Sequence, residues 1–528
     1  MRNLHIPGRS NVIGVNGMAA TSQPLSTLEA ISILKKGGNA VDAAIAASAV
    51  QAVIEPNSTG IGGDCFALVS IKGKKSIAVN GSGIAPKKAT LDFFESSKIN
   101  KISTTSPHSV NIPGAIHAWH SMHQKFGSLD FAELLISAEK YAREGFPVHE
   151  VVAKAWSENI DKLQQHPVTK AIFLRNNKSY GFGEVHQNIN LANTLQSIAK
   201  NGIKDFYSGY IAKDIVSSLN KIGGLHSMDD FAEQDTIFSD SLTNNYRDII
   251  LHQCPPNGPG ITVLLMMGIL EKFDFTKIKP LSADRFHLQA EATKIAFEIR
   301  EGSIGDPKFN DIDFHQLIQA EYINELASKI SMDKIYKPKN STITAHPETV
   351  YLTVVDKDQN AVSFINSICF PFGSGITSNK TGVILQDRCV NFRLERDHPN
   401  MIDGHKRPLH TIIPGQVTDM DNNPLLSYGV MGGQYQPVGH SHVVQNIFDF
   451  GMSVQEAIDF PRAFILENDY QFEKSIPEDI LLDLKSRGHQ ISYSDHTHGG
   501  GQAILIDRKN GVLIGGSDPR KDGCAIGY

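Results

Sequence analysis

Apolar and polar positions follow two periods along this chain, and the changes of period mark its elements. Over residues 26–36 apolar side chains recur at helical spacing, and Gly37-Gly38 closes the run, as expected where glycine takes the left-handed position after a helix. Asn39 is placed to cap a second helix whose face is Val41, Ala44, Ile45, Ser48 and Ala49. Side chains this small predict close packing against a sheet or another helix. After Pro56-Asn57-Ser58-Thr59-Gly60-Ile61-Gly62-Gly63, residues 66–69 read as an apolar strand. The region from about 115 to 330 is helix-rich, most clearly at 115–126, 131–143, 263–272 and 284–301. The pattern then fails. Pro338, Asn340, Ser341, Thr342, Thr344 and His346 offer no buried face, and residues 330–348 read as an exposed linker. The linker runs straight into Thr349 and the β-branched run Val350–Val355; Lys357-Asp358-Gln359-Asn360 turns that run into a hairpin with 361–366.

A threonine at the head of a strand is ordinarily inert, because no base stands beside its hydroxyl. If the Glu348–Thr349 bond is cut, Thr349 gains its own base, an α-amine with a pKa of about 7.7–8.0. A polar linker can be released without exposing a core, so a cut at this point is physically tolerable.

Composition narrows the remaining classes. The chain has 528 residues, 20% of them charged, and a formal net charge of -6, which argues against nucleic acid or an anionic membrane as partner. The longest apolar stretch, 40–54, is too short to span a bilayer and contains Asp42. The first ten residues hold no apolar core of a secretion signal, so the cytoplasm is the expected location. Five scattered cysteines with no CxxC pair suggest neither a disulfide framework nor a zinc ribbon. His496-Thr497-His498 has no carboxylate set nearby and reads as polar loop. Residues 255–260 lack the Gly-Lys-Ser/Thr ending of a phosphate loop. No metal and no cofactor are expected.

Longer motifs carry a resemblance. They are Gly37-Gly38-Asn39-Ala40-Val41-Asp42-Ala43-Ala44-Ile45-Ala46, Glu55 through Gly63, Val354 through Ser363, Phe372-Gly373-Ser374-Gly375-Ile376, Lys406-Arg407-Pro408-Leu409 and Ser517-Asp518-Pro519-Arg520. In this order and spacing, the chain resembles the gamma-glutamyltransferase superfamily of N-terminal-nucleophile hydrolases from end to end. The resemblance implies an α+β fold, a four-layer αββα sandwich with a helix-rich large-subunit portion. It implies self-cleavage between Glu348 and Thr349 into a large subunit, 1–348, and a small subunit, 349–528, which stay together as a heterodimer. Thr349 is the implied nucleophile and Ser367 the hydroxyl that supports it. The backbone N–H groups of Gly432 and Gly433 form the implied oxyanion hole. Thr353, on the same strand, reads as structural.

The chain departs from that pattern where gamma-glutamyl enzymes hold the glutamyl α-carboxylate and α-amine. Their large-subunit arginine is replaced by Ser82, their small-subunit asparagine by Cys369, their acidic residue by Asn391 and their serine pair by His410-Thr411. Arg388 appears where the family carries an uncharged glutamine. A guanidinium grips a carboxylate in a bidentate fork, so Arg388, Asn391, His410, Thr411 and Ser82 together imply an anionic acyl group without an α-amine. This resembles the branch that includes oxamate amidohydrolase and the glutaryl-type cephalosporin acylases. The expected substrate is a small acidic, oxamate-like amide. The alternatives are a genuine gamma-glutamyltransferase or glutathione hydrolase, a glutaryl-type acylase, and an unprocessed homologue kept as a binding protein. Arg388 as a structural ion pair and His410 as a core histidine stand as competing readings of those two residues.

Overall fold

Two seven-stranded antiparallel sheets lie face to face, with helices on the outer side of each. The computed structural model describes residues 8–339 and 349–528. The first sheet runs Cys524–Gly527, Met18–Thr21, Val350–Val355, Ala361–Ser367, Asp64–Ser70, Ile77–Gly81, Ile237–Asp240. The second runs Val12–Gly14, Val512–Ser517, Gly500–Asp507, Pro424–Met431, Gly415–Thr418, Ile249–Gln253, Leu242–Tyr246. This is the α+β, four-layer sandwich that the sequence led us to expect.

The Val350–Val355 strand shows how the layers are specified. Every residue of it is buried, because it lies inside its sheet and is covered on both faces. Leu352 and Val354 point into the helical layer formed around Ala40–Ile54. Tyr351 points the other way, into a cluster between the sheets with Phe66, Ile365 and Met431. Thr353, on the same face as Tyr351, donates across the sandwich to Ser427 Oγ at 2.7 Å, in keeping with a structural role.

The Ala40–Ile54 helix starts where Asn39 accepts from Val41 N and Asp42 N, with Asp42 returning the bond in a capping box. All fifteen of its residues are buried, not one face alone. The alanine-rich surface lets the helix sit against the sheet while Pro24–Lys35, Ala115–Phe126 and Ile136–Glu144 pack around it. Gly260–Leu270, Ala283–Ser303 and Gln436–Phe448 contribute to the layer over the second sheet.

Ala115–Phe126 has the expected bounds. The stretch read as one helix over 131–143 divides into a 3-10 turn, Phe131–Leu135, and the helix Ile136–Glu144. A mixed three-stranded sheet, Ala463–Leu466, Asp469–Phe472 and Gln490–Tyr493, was not anticipated. Nor are residues 331–339 a free linker. Ser331 O lies 2.7 Å from His287 Nε2, Tyr336 donates its hydroxyl to Glu298 Oε2 at 2.6 Å, and Lys339 N donates to Glu298 Oε1 at 3.0 Å. Polar partners on the Ala283–Ser303 helix hold a stretch that has no apolar face of its own. The rest of that stretch, Glu348 included, lies outside the described residues. Among the described residues no helix is long and apolar enough to cross a membrane.

Candidate active site

Thr349 stands at the entry of the Val350–Val355 strand and is 2% exposed. The antiparallel register, with Val350 opposite Asn366, brings the end of the neighbouring strand beside it, and Thr349 Oγ1 lies 3.3 Å from Ser367 Oγ. Two further groups reach the Ser367 oxygen: Arg388 Nη2 donates at 3.1 Å and Cys369 N at 3.0 Å. A hydroxyl has two lone pairs and one proton. With both lone pairs taken by N–H donors, the Ser367 proton is left to point at Thr349 Oγ1. Thr349 is then the acceptor in that contact, and its own proton is directed elsewhere. Cys369 delivers its N–H from a left-handed backbone, φ 81°, a region that asparagine visits more readily than cysteine. Burial pushes its thiol, and that of Cys389, well up, which leaves both inert.

Arg388 is fully buried. Its second terminal nitrogen donates to Thr411 Oγ1 at 2.7 Å, and its Nε has no partner among the described residues. Both of its hydrogen bonds therefore go to neutral hydroxyls. Neighbouring Asp387 turns away, accepting from Phe370 N at 3.1 Å, and burial pushes its carboxyl up to about 6. No ion pair joins the two. Among the described residues no carboxylate bonds to this buried guanidinium, an expensive arrangement that an anionic ligand would relieve.

Asp64, opposite Ser367 in the neighbouring strand, is the site residue that sequence reasoning missed. Its Oδ1 accepts from Gly83 N at 2.9 Å, Gly114 N at 3.2 Å and Gln386 Nε2 at 2.7 Å; its Oδ2 accepts from Asn111 Nδ2 at 3.2 Å and meets His410 Nε2 at 3.1 Å. Burial works to raise its pKa, but the His410 bond and the nearby Arg388 charge outweigh it and hold the carboxyl below its ordinary value. The one signal in the sequence was a lone acid at the head of an apolar strand, directly after Gly60-Ile61-Gly62-Gly63.

His410 is buried and packs on Phe66 with ring centroids 4.9 Å apart. Burial, reinforced by Arg388, pushes its pKa down to about 4, so the ring is neutral at pH 7. Its Nε2–H donates to Asp64, and Nδ1 faces Ile412 N at 3.4 Å. Ser82 is buried within a set made by Asn80, Asn257 and Arg407: its hydroxyl donates to Asn80 Oδ1 at 2.7 Å and accepts from Asn257 Nδ2 at 3.1 Å, while its carbonyl receives Arg407 Nη1. Asn391, one 3-10 turn after Arg388, is half-buried and donates to Leu409 O at 3.1 Å. The structure thus joins Thr349, Ser367, Arg388 and Thr411 by direct bonds, sets His410 on Asp64, which lies opposite Ser367 in the next strand, and holds Ser82 and Asn391 in contacts of their own.

Gly432 and Gly433 follow the Pro424–Met431 strand of the facing sheet. Thr353 meets Ser427, and a Cβ on Gly429 would come within 2.3 Å of the Tyr351 ring. Stepping two residues further along each strand brings the end of Pro424–Met431 to the Thr349 end of its partner. Gly432 has φ 129°, and a Cβ there would fall 2.7 Å from Gly499 Cα, so only glycine suits the position.

Burial of neutral imidazoles makes an acid-stability prediction. Burial pushes His226, His252 and His410 down to about 4, and His186 and His440 to about 3. Each group's folded pKa lies below its unfolded value of about 6.5, so the unfolded chain binds more protons between the two. The stability they contribute is complete above pH 6.5 and is lost as pH falls toward 4. Glu55, raised to about 8 by burial, and Asp387, Glu29, Asp459 and Asp522 run the other way, but burial also lowers His442 and His498, and the imidazoles outnumber the carboxyls. The melting temperature followed by circular dichroism should fall by roughly 10 °C or more from pH 7 to pH 4.5; a flat profile would contradict this account.

Comparison with known proteins fits this geometry. A family model described as gamma-glutamyltranspeptidase matches residues 27–528. This chain belongs to the gamma-glutamyltranspeptidase family. Similar proteins include a glutathione hydrolase-like YwrD proenzyme of Bacillus subtilis, 35% identical over 98% of this chain and 99% of that one. An oxamate amidohydrolase proenzyme of Klebsiella pneumoniae is 29% identical over 98% and 100%. Among solved structures, a cephalosporin acylase from Bacillus halodurans is 36% identical, with a TM-score of 0.94 over 100% of this chain and 98% of that one. The family's N-terminal-nucleophile fold is the one described above, this member is an amide hydrolase, and its Bacillus subtilis and Klebsiella pneumoniae relatives are proenzymes.

Proposed function

We propose that this chain cuts itself between Glu348 and Thr349 and then hydrolyses a small, acidic, oxamate-like amide through an acyl-enzyme on Thr349. In the reaction the freed α-amine takes the Thr349 hydroxyl proton while Oγ1 attacks the amide carbon. The N–H groups of Gly432 and Gly433 receive the developing oxyanion. Collapse of the tetrahedral intermediate breaks the C–N bond; ammonia leaves with the proton held by the amine, and an ester remains on Thr349. Water, deprotonated by the same amine, releases the acid. Ser367, donating to Oγ1, keeps the attacking oxygen oriented.

The observation that carries the substrate class is Arg388. Its buried guanidinium has two hydroxyl partners, and one of them, Ser367, is the group that touches the nucleophile. A single hydroxyl thus separates the positive charge from the reacting oxygen. An acid whose carboxylate adjoins the scissile carbonyl fits that short span better than one with several methylenes between. Ser82, where a gamma-glutamyl enzyme would hold an arginine, is already engaged and uncharged. Thr349, Ser367, Arg388 and His410 are all buried, so the cut before Thr349 also serves to open the site. Five cysteines without a disulfide among them support a reducing compartment, the cytoplasm, as the place of action.

A second reading, a glutaryl-type acylase, is favoured by the likeness to the cephalosporin acylase. One panel separates these readings. Purified protein is assayed for ammonia release from oxamate, succinamate, glutaramate and glutamine, and for cleavage of a gamma-glutamyl anilide. We expect the highest kcat/KM on oxamate. Preference for glutaramate would select the acylase reading, and ordinary efficiency on the anilide with oxamate inert would overturn the proposal.

A further inference from the structure

Away from Thr349, three side chains able to ligate a metal converge from distant parts of the chain. His287 and Glu291 stand one turn apart on one face of the Ala283–Ser303 helix, and His489 comes from the turn before Gln490–Tyr493. All three are buried, and one ligand atom from each lies within 4.8 Å of the others. The closest pair is His287 Nδ1 and His489 Nε2, at 2.8 Å.

The tautomer of His287 is fixed from outside the cluster. Its Nε2 lies 2.7 Å from Ser331 O. A carbonyl can only accept, so Nε2 carries the proton and the Nδ1 lone pair is turned inward, which is the outer bond that metal-binding histidines characteristically make. Tetrahedral zinc with Zn–N of 2.0–2.1 Å sets its nitrogens about 3.3 Å apart, so the pair need open by only about half an ångström. Without an ion, His489 Nε2–H donates to the His287 Nδ1 lone pair; to ligate a metal, His489 shifts its proton to Nδ1. His489 also borders a cavity of about 880 Å³ shared with Lys294, Tyr336 and Arg393, the side from which an ion would approach.

We propose that His287, Glu291 and His489 form a binding site for a divalent metal of the zinc class. Two imidazoles and one carboxylate suit zinc better than magnesium or calcium. Without an ion, Lys294 pairs with Glu291 and also donates to Tyr336 O at 3.1 Å. The ammonium thus stands in the cation's electrostatic place and competes with it. The three ligands span the position of Thr349, so a metal here fastens the stretch before that residue to the stretch after it. That this becomes a link between two chains rests on the proposed cut; the binding itself does not.

The test is a titration of chelator-stripped, dialysed full-length protein with Zn²⁺, reading bound zinc after desalting and the melting temperature. We expect one zinc per molecule and a melting temperature that rises with free zinc. His489→Gln and Glu291→Gln should each lose the bound zinc and the shift, while His496→Gln, on an exposed loop, should keep both. Lys294→Gln removes the competitor and should tighten zinc binding about ten-fold. Absence of stoichiometric zinc from the wild type overturns the proposal whatever the variants do, and so does equal zinc in wild type and His489→Gln. Zinc bound by a chain that remains a single band would sustain this site and count against the self-cleavage proposal alone.

Discussion

Thr349→Ala is expected to give one full-length band on a denaturing gel, where the wild type gives two, and to lower turnover by on the order of 10⁴-fold or more. Both effects come from one atom. The Thr349 hydroxyl is the proposed nucleophile first toward its own preceding carbonyl and then toward the substrate, so its removal stops maturation and catalysis together. Little else should change, because alanine leaves the strand ladder intact, and the melting temperature should stay within a few degrees of the wild type. Thr349→Ser keeps a hydroxyl and, after cleavage, an amine on the same carbon, and should mature slowly into two bands with reduced activity. Two bands from Thr349→Ala would place the cut elsewhere.

Arg388→Gln should lower kcat/KM on oxamate by about 10²- to 10³-fold, as expected for losing a buried, charge-assisted contact to a carboxylate. Glutamine can still donate one hydrogen bond toward Ser367 or Thr411, so the variant isolates the charge. The decisive comparison is with a neutral amide of similar size. If Arg388 grips the substrate carboxylate, the neutral amide loses far less than oxamate. If Arg388 serves only to hold the Ser367 hydroxyl in place, both substrates lose activity by the same factor, and the anionic specificity assigned to it fails.

What the sequence made legible was what neighbouring residues decide. The threonine-headed strand and its hairpin, the Asn39 cap and the Ala115–Phe126 helix rest on contacts within a few positions, and all appear where expected. The lining of the site was reached by motif: Thr349, Ser367, Arg388 and Thr411 prove to be bonded neighbours. Asp64 escaped because its partners Gly83, Gly114, Gln386 and His410 lie between 19 and 346 positions away, and no local pattern announces such a meeting. The anchoring of residues 331–339 escaped for a related reason. Their anchors are charged and polar groups on a helix some 40 positions earlier, so their order owes nothing to an apolar period. Burial of the Ala40–Ile54 helix on every side likewise depends on elements that close around it from elsewhere in the chain.

The interleaving of the first sheet has a practical outcome. Val350–Val355 and Ala361–Ser367 lie between Met18–Thr21 and Asp64–Ser70, so pieces separated by a nick just before Thr349 would each hold strands whose ladders are completed by the other. Dilution could not then part them, and parting them by denaturant would bare interior strand edges that invite aggregation. Maturation would be a one-way event: the nicked molecule, once melted, would have no route back, and its lifetime under heat would be set by how fast it opens.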